Sequence, residues 1–375
     1  MKFVFAVGIF AVCLLGAPAH AQELHQDLQG IYRAKVLEVK GESTVLVPGT
    51  DVYNPVQTLE IEFQSGDKKG EVVTFENDYI QLKQGDRFYL DYMRTFEGQE
   101  FYLVREKDRT FTLGVLVAFF MAAVLIFGGW QGLRSLASLV GSLLVIVYVL
   151  LPTLVAGYPP IPVSIGVAAL VLFVAIFFTH GFNMRSLIAY GGTVIAVCLT
   201  GLIAHVSIAA TGLTGFASEE AVYLNFGTEG QLDFVGLLLA AVIIGALGVL
   251  DDIAVTQVAV VRELVSASAA FTKREVYTKA IRVGKEHVGA LVNTLMLAYT
   301  GAALPLLLWF SLSQTDALSI VNREIFATEM VRALVGSIGL ILTVPITTLL
   351  AVVFLHGQKF SSDPREMGHS HMHHE

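Results

Sequence analysis

The apolar positions of this chain follow two different periods. From about residue 22 to residue 109 they alternate with polar ones in short segments, "GIYRAKVLEVKG", "QTLEIEFQSGD", "GEVVTFEND" and "GDRFYLDYM". Gly, Asp, Asn and Pro bound these segments. Period-two alternation between turn residues predicts half-buried antiparallel strands. A small β domain, as a barrel or sandwich, is therefore expected over 22–109. From Phe111 onward the alternation gives way to long apolar runs: 111–130, 136–157, 161–179, 186–210, 234–261, 287–309 and 330–355. Each comes near the roughly 20 residues that a helix needs to cross the hydrocarbon core. Residues 110–357 thus read as an α-helical integral membrane bundle of about seven spans.

The first residues differ from both. In "MKFVFAVGIFAVCLLGAPAHAQ", Lys2 precedes a short apolar run, and Ala19, His20 and Ala21 supply a small-residue cleavage pattern. Residues 1–21 read as a signal peptide, or as a retained signal anchor, and either form delivers the β domain outside the membrane. The A-x-A form points to a bacterial plasma membrane. Basic residues give the same orientation. Arg134, Arg185, the block "RELVSASAAFTKREVYTKAIRVGKEH", Lys359 and Arg365 fall on the inside, whereas the outside loops hold only Arg323. That is the positive-inside pattern, with the C-terminus cytoplasmic.

Composition supports the membrane reading. Of 375 residues 54% are hydrophobic and 15% charged, against about 25% charged in soluble domains. The net charge of −8 offers no basic surface, so nucleic acid is set aside as a partner. The two cysteines, Cys13 and Cys198, both lie in apolar segments and imply no disulfide framework.

Against this background "GALGVLDDIAVTQ" stands out, because Asp251 and Asp252 interrupt an apolar span. An acid there costs a few kcal/mol even on lenient insertion scales, and intramembrane acids default to functional sites. Adjacent carboxyls in a medium of low dielectric resist double ionisation, so a pair sharing a proton is the expected resting state. Asp251 lies 11 residues before Arg262, roughly 16 Å at about 1.5 Å per residue. On the next span Asn293 and Thr294 reach a similar depth. Thr256, Gln257, Tyr299 and Thr300 extend the polar trail. Asn293, Thr294, Thr300, Thr256 and Gln257 are therefore the expected relay or packing partners. Thr193, Thr200, His205, Thr343, Thr347 and Thr348 are further candidates, although hydroxyls in spans commonly serve as packing glue.

"GALGVLDDIAVTQVAVVREL" resembles the acid-bearing helix of the RND and SecD/SecF superfamily. The following "YTKAIRVGKEHVGALVNTLMLAYTGAALPLLLWF" is similar to that superfamily's next segment, over roughly residues 240–310. This resemblance implies that Asp251 and Asp252 are proton-relay carboxylates, with Thr294 or Thr300 as hydroxyl partner. The chain departs from it in having no lysine within a predicted span and a much smaller β domain. The whole layout of export segment, small β domain, helical bundle and "GVLDD" is similar to the bacterial YibE/F family.

An intramembrane aspartyl protease is disfavoured: Leu250, not Gly, precedes Asp251, and no other predicted span holds an aspartate. No enzyme activity and no resident cofactor are expected. The tail 358–375 carries His369, His371, His373 and His374 beside Met372, a set of potential metal ligands without fixed geometry. "FTKREVYTKAIRVGKEH" reads as a basic amphipathic helix on anionic lipid. The expected function is a proton-coupled transporter or export accessory for an ion or small molecule. The alternative is a membrane scaffold or assembly factor, with an extracytoplasmic protein or a second copy as partner.

Overall fold

The computed structural model describes residues 28–95, 98–268, 270–313 and 316–357. The segment read as a signal peptide and the histidine-rich tail both lie outside the described residues. The chain falls into two compact units that divide between Ile126 and Phe127. The division lies inside a helix, rather than at the 109/110 border that the change of period marks.

The first unit holds a five-stranded antiparallel sheet in the order β3-β2-β1-β4-β5. The strands are β1 (Leu28–Leu46), β2 (Tyr53–Phe63), β3 (Val72–Asn77), β4 (Arg87–Arg94) and β5 (Glu100–Lys107). β1 pairs with β4 through its first half and with β2 through its second. Two register shifts, at Val36/Glu38 and Val39/Gly41, bend β1 between them. The sheet curls into a half-barrel, and Phe75 of β3 meets Tyr102 of β5 with ring centroids 5.7 Å apart. The alternation in the sequence is the alternation of burial. Leu59, Ile61 and Phe63 of β2 and Phe88 and Leu90 of β4 point into one core with Ala34, Val36, Leu82 and Val104. Gln57, buried within β2, meets the backbone of Leu82 with both ends of its amide. Glu100 accepts from Tyr92 at 2.7 Å and also from Tyr102. The hydroxyls of Tyr102 and then Tyr92 hold the Glu100 carboxyl below its usual range. Burial, then Glu100 itself, pushes the Tyr102 phenol well above its usual value.

The helices that follow are α1 (Thr110–Val145), a π-helical turn (Ile146–Leu150), α2 (Leu151–Val155), α3 (Pro160–His180) and α4 (Met184–Thr211). After them come α5 (Glu219–Gly227), α6 (Phe234–Ala267), α7 (Lys273–Ala302), α8 (Leu304–Leu312), α9 (Ala317–Val321) and α10 (Glu324–Leu355). Local capping chemistry sets several starts. Asn183 accepts from Ser186 N–H at 3.0 Å to open α4, and Asp233 accepts from Gly236 N–H at 2.9 Å to open α6. Thr272 and Glu275 form a capping box at α7.

Five helical stretches are long and apolar enough to cross a membrane, or six if the bent pair α7 and α8 counts as one. This differs from the seven runs in two places. The runs 111–130 and 136–157 form one helical stretch, Thr110–Val155, whose only non-helical residue within α1 is Gly129, at φ 51° and ψ −133°. The run 287–309 is not straight, because α7 and α8 meet at an angle of 61° around Ala303. Pro305 in the first turn of α8 prevents a continuous ladder there. The basic segment read as a surface helix is the beginning of α7 itself.

α6 packs on α3, α4, α7 and α10, while α10 packs on α4, α6 and α7. The α4–α10 contact is made by reciprocal glycine–threonine pairs. A Cβ added at Gly192 of α4 would lie 2.6 Å from Thr347 Oγ1, and one at Gly339 of α10 would collide with Thr200. Small residues bring the backbones together where lipid leaves no hydrophobic drive between helices.

Candidate functional site

The core-facing side of α6 is the stripe Leu250, Ile253, Ala254, Gln257, Val258 and Val261, all buried. Spacing of three and four residues places these on one face. Asp251 and Asp252 therefore turn elsewhere, about 100° apart from each other. Asp251 is half-buried and Asp252 exposed. Asp251 Oδ1 accepts from Asp252 N–H at 2.9 Å. The Asp252 carboxylate has no hydrogen-bond partner among the described residues.

Both acids line a cavity of about 310 Å³ between α6, α3 and the part of α1 after Gly129. Ser135, Ser138 and Ser142 enter it from α1 at spacings of three and four residues, hence from one face. Ser138 is buried and donates toward the carbonyls of Val174 and Ala175, at 3.4 and 3.3 Å. Thr179 and His180 close the cavity from α3, and His180 is within electrostatic reach of Asp252. A second cavity, of about 250 Å³, is lined by Asn183, Arg185 and Ser186 from the start of α4. His180 and Val255 line both. His180 thus belongs both to the cavity at the α3–α4 turn and to the one that holds the two acids.

The expected partners are distributed differently. The Thr256 hydroxyl donates one turn back to the Asp252 backbone carbonyl at 2.8 Å, and Thr256 lines neither cavity. Gln257 is fully buried toward α10, where its Oε1 accepts from Thr348 at 3.0 Å and its Nε2 has no partner among the described residues. Asn293, Thr294 and Thr300 are exposed on α7 and line neither cavity. Thr294 and Thr300 donate to their own helix, at Ala290 and Met296. Depth along a span gives height but not azimuth, and at their height the acids face α1 and α3. Thr193, Thr200 and Thr343 likewise bond carbonyls one turn back. The serines of α1 and His180 were not among the expected site residues. Hydroxyls recurring at one helical face of an otherwise apolar run were the signal for the serines. Among the described residues no three His, Cys, Asp or Glu side chains converge as a metal site. His369, His371, His373 and His374 lie outside the described residues.

One family model, described as YibE/F-like protein, matches residues 116–357. No curated protein and no solved structure matches the chain. The matched stretch contains the acids, the three serines, His180 and both cavities.

Proposed function

The chain belongs to the YibE/F-like family, and from that premise we propose that it is a bacterial plasma-membrane transporter or export accessory coupled to protons. The observation that carries this reading is the shared position of His180. It lines the acid-bearing cavity and the adjoining one that opens on Asn183 and Arg185. A proton entering by that route passes from water to the His180 imidazole and then to Asp252 or Asp251. The serines of α1 supply hydroxyls along the wall. Protonation removes charge from an apolar helix and thereby alters which helix packing is favoured, the step on which coupling depends. The local likeness to the acid-bearing helix of RND proteins supports the same roles. The protein acts in this reading as a carrier, not as an enzyme.

The proposed topology keeps the β sheet outside and the C-terminus in the cytoplasm, with Thr110–Val155 counted as two crossings. Its 46 residues rise about 69 Å, more than twice a core of roughly 30 Å. The test is proton flux into proteoliposomes holding an internal pH dye, under ion gradients and a panel of divalent metals. Asp251→Asn with Asp252→Asn, at unchanged thermal stability, is expected to abolish the flux that wild type shows. His180→Gln is expected to slow it about 10²-fold, the low end for a positioned proton-transfer group. Equal flux in wild type and the double variant would sink the carboxylate role. No flux in either, from folded protein, would favour a scaffold that presents the β sheet.

A further inference from the structure

The N-terminal end of α6 borders a different cavity. There α5, α6, α7, α8 and α10 line an open cavity of about 570 Å³. Most of its wall is apolar, supplied by residues such as Leu224, Phe234, Leu238 and Leu306. Into this frame α10 places Glu329 and Arg332, ion-paired at 3.0 Å, with side chains only 29% and 28% exposed. Only Nη1 of Arg332 meets Glu329, whereas its Nε is buried without a partner. Thr328, 5% exposed, also lines the cavity and leaves its hydroxyl unpartnered. Glu220 stands at the rim and has no ion pair among the described residues.

An ion pair in an apolar setting does little for stability, since desolvation offsets the attraction. An apolar pocket with a few convergent polar groups is the usual form of a small-molecule site. Here the Arg332 guanidinium meets Glu329 through one nitrogen, and Glu220 lines the same cavity. A planar carboxylate is the group that matches the remaining donors of the guanidinium. An ammonium matches Glu329 and Glu220. A ligand bearing both groups satisfies the site without importing net charge. The volume lies in the range of small-molecule sites, roughly 300–1,000 Å³, and the walls ask for an apolar body.

We propose that this cavity binds a small apolar zwitterion, an amino acid or short peptide with apolar side chains. Its carboxylate lies on Arg332 and its ammonium toward Glu329 and Glu220. The proposal deepens the transport reading by naming a substrate class, yet binding is measured at equilibrium and needs no flux.

The test uses the full chain in lipid nanodiscs and radiolabelled leucine and Leu-Leu. N-acetyl-Leu-Leu, which lacks the ammonium, and Leu-Leu amide, which lacks the carboxylate, are the comparators. Saturable binding of leucine or Leu-Leu is expected, with each blocked form weaker by about tenfold or more, as loss of a charge-assisted hydrogen bond implies. Arg332→Gln should weaken Leu-Leu similarly while leaving the amide unchanged. No saturable binding to folded wild type, or equal binding of zwitterion and blocked forms, would overturn the proposal. The blocked peptides decide it on wild type even where a variant does not fold. Binding without proton flux would keep this site and remove proton coupling, and flux without binding would do the reverse.

Discussion

Glu100 shows how one carboxylate ties the β sheet to pH. Its folded-state pKa lies below the ordinary value because the Tyr102 and Tyr92 hydroxyls donate to the ionised form. Its contribution is therefore fully present above about pH 4.3, the ordinary glutamate value, and is lost as pH falls through the depressed folded value. Near-ultraviolet circular dichroism of the tyrosine cluster, followed through thermal melts, should show the unfolding midpoint dropping below that pH. Glu100→Gln should flatten the drop, and an unchanged acid limb would refute this account. At the same scale, Asp251 and Asp252 were legible because a charge in an apolar run is conspicuous whatever the fold. The surroundings of the pair were less so. Its neighbours depend on the rotation of α6, and each residue of error turns a side chain by about 100°. That is why Asn293 and Thr294 matched the pair in height, while Ser138 and His180 share its cavity.

Among the elements, the α4–α10 pair carries the tightest approach. Gly339→Val would drive a branched side chain into Thr200. The expected cost is about 1–3 kcal/mol, as for overpacked cores. It is readable as a lower unfolding midpoint in detergent, and Thr200→Ala in the same chain should restore part of it. No recovery would mean that the contact is not what limits the approach. Strands β1 to β4 were legible because one face of each is buried and the period of two survives in the letters. β5 was not, since "FYLV" runs four apolar residues together and hides that Phe101 and Leu103 are exposed whereas Val104 is buried. The helices were legible from apolar length, but their continuity was not. "QGLRS" interrupts the hydropathy at 131–135, yet the helix runs through it and breaks earlier, at Gly129.

For the whole molecule, the proposed orientation has a direct check. In a background without Cys13 and Cys198, Lys69→Cys in the β2–β3 turn should react with a membrane-impermeant maleimide on intact cells. Thr278→Cys on α7 should react only after permeabilisation. Both positions are exposed, so the opposite pattern would invert the topology and not merely signal burial. The two units also differ in how their packing relates to the order of synthesis. In the sheet order β3-β2-β1-β4-β5, the first strand made is the central one. Each later strand pairs with one already present, and the sheet can grow outward as the chain emerges. The helical unit is built the other way. There α10, the last helix described, packs on α4, α6 and α7, and Gly192, Thr200 and Gln257 have neighbours on it. A ribosome stalled before residue 324 would thus leave a β unit with all its strands and a helical unit still lacking a helix on which three others pack.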